Sequence, residues 1–231
     1  MKKQVFMILL SLALVSSISI TGTLAYMTDR DSIANVFTVG NIDITLDEAD
    51  VDEKGHLILD AEGKPVDRVT ENEYHLIPGQ TYIKDPTITV NENSEESYIR
   101  MIMTVHNASA VQEIIHSQDL ADFSDLIAGW DENVWLYEDF TEDKENNTIS
   151  FEFRYHKSVS GKPSSIILEP LFQKLVVPEG VTGAELAKLN PNNEGDENDQ
   201  FKIVLQGHAI QKATFEDAES AWNAFDQQVS Q

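Results

Sequence analysis

The sequence predicts a mainly all-β chain, an antiparallel β-sandwich carrying a few inserted short helices and a C-terminal helix. Three observations lead there. Apolar and polar residues alternate in several runs, most cleanly where Ile149, Phe151, Phe153 and Tyr155 interleave with Ser150, Glu152 and Arg154. Such period-two runs are half-buried strands. Turn formers such as Pro78-Gly79 separate the runs, and helical periodicity is confined to a few places. A parallel βαβ sheet would need a helix after nearly every strand.

In chain order, Val36–Leu46 ends with Ile42, Ile44 and Leu46 facing one way, a half-buried strand, and Asp47–Glu53 is an acidic loop. Residues 56–69 read as a small hairpin, an insertion with Gly63 in its turn. Tyr82–Val90 is a strand interrupted at Asp85-Pro86, since proline belongs at an edge or a bulge. Tyr98–Val105, with Ile99, Met101, Met103 and Val105 on one face, is the central strand. A second insertion, 109–127, has Val111, Ile114 and Ile115, then Leu120, Phe123 and Ile127, at helical spacing, giving two short helices or one bent one. Val134–Tyr137 and Ile149–His156 are strands around an acidic loop, Glu138–Asn147. Ser164–Leu168 and Leu171–Val177 continue the β pattern. Thr182-Gly183-Ala184-Glu185 has the form of a capping box, with Val181 able to staple onto Leu186. Asn190–Gln200 is an acidic loop and Phe201–Gln211 a long strand. Thr214–Phe225 is a helix with Phe215, Ala218, Ala221, Trp222 and Phe225 on one face.

The 231 residues carry 16 Lys+Arg against 40 Asp+Glu, a formal charge of −24, and no cysteine. A surface this negative repels nucleic acid and anionic lipid. The missing cysteines exclude disulfide frameworks, thiolate zinc sites and cysteine nucleophiles together. A hydrophobic fraction of 41% is enough for a real core.

The first 25 residues read as a signal peptide. Lys2 and Lys3 precede an apolar run from Val5 to Ile20, and small residues sit at −3 and −1 if cleavage falls between Ala25 and Tyr26. The run is short for a spanning helix, so contact with the membrane is expected only in transit. Cleavage removes two lysines and no acid, taking the charge from −24 to −26. Residues 26–35 then form a mobile N-terminal segment, and residues 36–231 a single sandwich domain.

No catalytic motif emerges. None of the six histidines (56, 75, 106, 116, 156, 208) pairs with another at the one-turn spacing of a metalloprotease helix. His106 and His116, flanking the helical region, are weak metal candidates that could meet in space. Asp50–Gly55 begins like a calcium loop but puts Lys54 at a ligand position. Asn192–Asp199, with Asp196 and Asp199, is a weak calcium candidate, and no cofactor is implied. Asn107-Ala108-Ser109 and Asn146-Asn147-Thr148 match the glycosylation pattern.

The most specific text spans the cleavage site. Gly22-Thr23-Leu24-Ala25-Tyr26-Met27-Thr28-Asp29, followed by Asn35-Val36-Phe37-Thr38-Val39-Gly40-Asn41-Ile42-Asp43-Ile44, resembles the N-terminus of the TasA/camelysin (CalY) family of exported Firmicutes proteins. Leu76-Ile77-Pro78-Gly79-Gln80-Thr81, then Lys84-Asp85-Pro86 and Tyr98-Ile99-Arg100, is similar to the family's next strand pair. Ala209-Ile210-Gln211-Lys212 and Ala221-Trp222 look like the ending of related exported proteins. The resemblance implies a jelly-roll-like sandwich, release by a SipW-type signal peptidase, and a secreted role in the extracellular matrix or at the cell surface. It also implies biofilm fibres assembled with other copies or related matrix subunits by donor-strand exchange. In that scheme the segment with Tyr26, Met27, Thr28, Asp29, Ile33 and Asn35, without a partner in its own domain, completes a neighbour's sheet. Two other functions stay open: a non-polymerising surface-binding protein of the same fold, and a camelysin-type metallopeptidase, for which the sequence offers no zinc motif.

Overall fold

The computed structural model describes residues 28–32, 42–190 and 200–229. The sandwich expected from the periodicity is present, every pairing being antiparallel. One layer is a five-stranded sheet in the order β1 (Thr28–Ser32), β11 (Ile203–Gln211), β5 (Ser97–His106), β8 (Thr148–Tyr155), β7 (Trp135–Asp143). The facing layer is split into two three-stranded sheets. One orders β3 (Thr81–Ile83), β10 (Lys174–Val176) and β6 (Ile127–Ala128), the other β2 (Ile44–Asp47), β4 (Thr87–Val90) and β9 (Ile166–Ile167).

The core is built from the alternating positions. Ile99, Met101, Met103 and Val105 of β5 are buried, as are Ile42, Ile44, Leu46, Ile88 and Val90 across the sandwich. Gly207 shows how closely the layers approach: a Cβ there would lie 3.1 Å from the Ile88 Cδ1 and 3.4 Å from that of Ile44. The Asp85-Pro86 break does more than interrupt a strand. It transfers the chain from one three-stranded sheet to the other, β3 pairing with β10 and β4 with β2.

Three α-helices are described: α1 (Ala108–Ser117), α2 (Gly183–Leu189) and α3 (Ala218–Val229). The region 109–127 resolves into α1 and a 3-10 turn at Phe123–Leu126, because Asp122 accepts the Ser124 N–H and starts a separate turn. The capping box forms in full: Glu185 N donates to the Thr182 hydroxyl and Thr182 N to the Glu185 carboxylate. The last helix begins four residues later than its pattern suggests. A 3-10 turn at Lys212–Thr214 intervenes, and Asp217 accepts the Ser220 N–H in front of α3. Its apolar face is as expected, Ala221, Trp222 and Phe225 packing with Ile210, Tyr98 and Phe215.

Two elements correct the sequence reading. Glu138–Asn147 is not a loop along its whole length, since β7 runs through Asp143 in register with β8, with a bulge between Tyr137 and Asp139. Acidic side chains are tolerated there because β7 is an edge strand whose residues after Trp135 face water. The ribbon at 56–69 forms only isolated bridges, Leu59 to Pro65 among them, around a turn that Gly63 enters at φ 76°.

Candidate functional site

The N-terminal edge of the large sheet carries two of the residues that the sequence put forward for assembly. β1 lies against β11 in register from Thr28 opposite Ile210 to Ser32 opposite Gln206. The expectation that this segment has no partner in its own chain is therefore corrected: β11 offers an open ladder of N–H and C=O groups, and the segment takes it. Thr28 and Asp29 lie in β1. Ala25, Tyr26, Met27, Ile33 and Asn35 lie outside the described residues.

β11 is well anchored as an acceptor. It pairs with β5 over nine positions, from Ile203 opposite Val105 to Gln211 opposite Ser97. β1 covers only Gln206–Ile210, so the edge of β11 at Ile203–Leu205 extends beyond it. That stretch lines a cleft of about 770 Å³ whose other wall includes Leu46, Glu48 and Tyr74.

A cationic row crosses this sheet. Arg30, His208, Arg100 and Arg154 share one register line through β1, β11, β5 and β8, and they include three of the chain's four arginines. Arg100 is buried, its side chain 5% exposed. Its Nε donates to His208 Nδ1 at 3.1 Å, which puts the ring's proton on Nε2. Its other nitrogens reach Asp226 on α3 at 2.5 and 3.2 Å and Glu152 at 3.3 Å. The guanidinium also lies over the rings of Trp222 and Phe225, 4.6 and 4.8 Å from their centroids. Arg154 adds contacts to Glu152 and to Glu219 of α3. Arg100 and Arg154 thus fasten α3 across the face of the sheet that bears the acceptor strand.

The two metal candidates sit on different elements. His106 ends β5 and His116 sits in the last turn of α1. The helix rises about 12 Å from Ala108 to His116, at 1.5 Å per residue. Burial, with Lys202 nearby, holds the His106 pKa below its usual value, and its Nδ1 has no hydrogen-bond partner. Among the described residues no group of three or more His, Asp or Glu side chains is placed to hold a metal. Asp196 and Asp199 lie outside the described residues. The Asp52 carboxylate accepts the backbone N–H groups of His56 and Lys54, which, with His56 first, hold its pKa down. Asn107, of the first glycosylation match, is buried and donates to the carbonyls of Lys188 and Leu189, so it ties α1 to α2.

Two features escaped sequence reasoning. The Arg100 row was visible only as arginines inside apolar strands, a signal that does not name its partners. An apolar crevice beside α1 had no signal beyond its aromatic residues.

Fold and site define an antiparallel β-sandwich protein closed along one edge by its own N-terminal strand. The chain belongs to the camelysin metallo-endopeptidase family, whose model matches residues 1–153. The match includes β1 and the region 109–127 and ends within β8, leaving the acceptor β11 outside it. No curated protein and no solved structure matches the chain.

Proposed function

We propose that this protein is a secreted matrix subunit of the TasA type. A leader spanning residues 1–25 is removed between Ala25 and Tyr26 by a SipW-type signal peptidase. Residues 26–35 of one copy then replace their counterpart on β11 of the next. The observation that carries this reading is the pairing of Thr28–Ser32 with Gln206–Ile210, a five-residue edge contact on a strand held independently by β5.

The energetics favour exchange over simple adhesion. A strand from a second copy makes the same contacts as the chain's own, so the balance is set mainly by concentration and by charge repulsion. Nine residues separate Ser32 from Ile42, enough to span at most about 30 Å, a distance that reaches a neighbouring sandwich. Emptying the edge position leaves β11 paired with β5 and the core intact.

Electron microscopy of the chain beginning at Tyr26, with and without residues 26–35, tests the reading. The longer chain forms concentration-dependent fibres and the shorter stays a folded monomer. Unchanged fibres after the deletion, or a longer chain that is monomeric at every concentration, would overturn it. Chelator-sensitive caseinolysis, lost on substitution of His106 or His116, would restore the peptidase function that the family name carries.

A further inference from the structure

The inner face of the large sheet is not closed at its β7 end. Between α1, the 3-10 turn at Phe123–Leu126 and strands β5, β8 and β7 lies a crevice of about 430 Å³. Its walls include six aromatic side chains: Phe123, Trp130, Tyr137, Phe140, Phe151 and Phe153. Phe123 stacks on Phe151 at 5.6 Å, and Trp130 and Tyr137 meet Phe153 at 5.5 and 5.9 Å. At the mouth, Tyr137 is 46% and Phe140 54% exposed, an aromatic pair that an edge strand leaves in water.

The chain segment bordering this opening is acidic, although Glu138 pairs with Arg154 and Glu142 with Lys144. From Asp119 to Asp143 the chain carries nine carboxylates and no lysine or arginine. Asp122 lines the crevice, and no basic residue does. Asp122 accepts the Ser124 N–H and hydroxyl through Oδ1, and Asp139 accepts the Phe140 N–H through Oδ1. Asp122 keeps Oδ2 for another donor, whereas Asp139 stands in register with Glu152, on the sheet face away from the crevice. Both lie close enough to the Tyr137 hydroxyl to add to burial in raising its pKa.

We propose that this crevice binds a small amphipathic organic cation, its apolar body among the rings and its ammonium group beside the Asp122 carboxylate. The volume lies within the range of about 300–1,000 Å³ usual for small-molecule sites. Aromatic faces attract a quaternary ammonium through their quadrupoles, and the Asp122 carboxylate adds direct attraction. A neutral ligand of the same shape gains only the apolar part, and an anion is repelled. The crevice opens at the β7 end of the sheet and β1 lies at the other end, so it stands independently of the assembly proposed above.

Phenylpropyltrimethylammonium, its uncharged isostere with a quaternary carbon, and phenylbutyrate serve as probes, titrated against purified protein by calorimetry and by Trp130 fluorescence. The cation binds saturably at one site, the neutral isostere about tenfold more weakly, and the anion not measurably. Asp122→Asn, whose amide oxygen can still accept the Ser124 N–H, brings the cation to the affinity of the isostere and leaves the isostere unchanged. Phe140→Ala weakens both ligands. Saturable binding that ignores charge, the absence of saturable binding, or an equal loss on Asp67→Asn with Glu71→Gln would overturn the proposal. The last result would mean adsorption to the overall negative charge.

Discussion

Replacing Glu48 with leucine removes one half of a buried ion pair. Lys84 Nζ lies 2.6 Å from Glu48 Oε2, and the two side chains are 9% and 6% exposed. Asn72 Nδ2 donates to the other Glu48 oxygen at 2.8 Å, and the Lys84 ammonium sits 5.8 Å from the centroid of the Tyr74 ring. After Glu48→Leu, only that ring faces the ammonium among these partners. Breaking one side of such a pair costs about 3–5 kcal/mol, because an uncompensated charge stays buried. For a domain of this size each kcal/mol lowers the midpoint by about 2–4 °C, so the variant should melt roughly 6–20 °C lower. Glu48→Leu combined with Lys84→Met deletes both charges and should recover most of the loss, ending within about 2 kcal/mol of the parent. Differential scanning calorimetry and urea unfolding of the parent, both single variants and the double variant close the cycle. A single variant that loses less than about 1 kcal/mol, or a double variant no more stable than the single, would refute the assignment of a strongly desolvated pair.

Three further outcomes follow from the structure. A Cβ on Gly161 would lie 1.8 Å from the Asn91 carbonyl oxygen, whereas one on Gly63 meets nothing within 4 Å. Gly161→Ala should therefore cost several kcal/mol and Gly63→Ala about 1 kcal/mol, its left-handed backbone alone being penalised, as denaturant midpoints will show. The Glu185 pKa is held down, to about 2 from 4.5, by hydrogen bonds from the Ser117 hydroxyl and from the Thr182 N–H and hydroxyl. A depressed carboxylate stabilises above its unfolded pKa and loses that contribution as pH falls through the folded value. α2 should thus fray between about pH 4.5 and pH 2, and Glu185→Gln should remove the dependence, both read by amide hydrogen exchange. Finally, if the mature chain assembles, its charge of −26 makes the rate rise with salt between 10 and 150 mM as the screening length falls from about 30 to 8 Å. Light scattering insensitive to salt would exclude charge repulsion as the brake.

How far the site was legible depends on the range of the interaction. The capping box at Thr182 was readable because its donors and acceptors lie within three residues. The apolar face of α3 followed from spacing alone. β7 was read as ending at Tyr137 because acidic residues usually mark loops. Its continuation depends on β8 offering a ladder beside it, with a bulge absorbing the mismatch.

The sequence by itself determined the antiparallel sandwich, the strand faces, the turns and the family, since a period of two and local caps are written in neighbouring residues. Only the tertiary structure decided which edges meet. β1 pairs with β11 across more than 170 residues, the strand pattern around Asp85-Pro86 divides between two sheets, and Arg100 finds Asp226 across a separation of 126. Alternation fixes which side of a strand is apolar, but every β edge presents the same N–H and C=O groups. The choice of partner therefore comes from how all the faces pack at once.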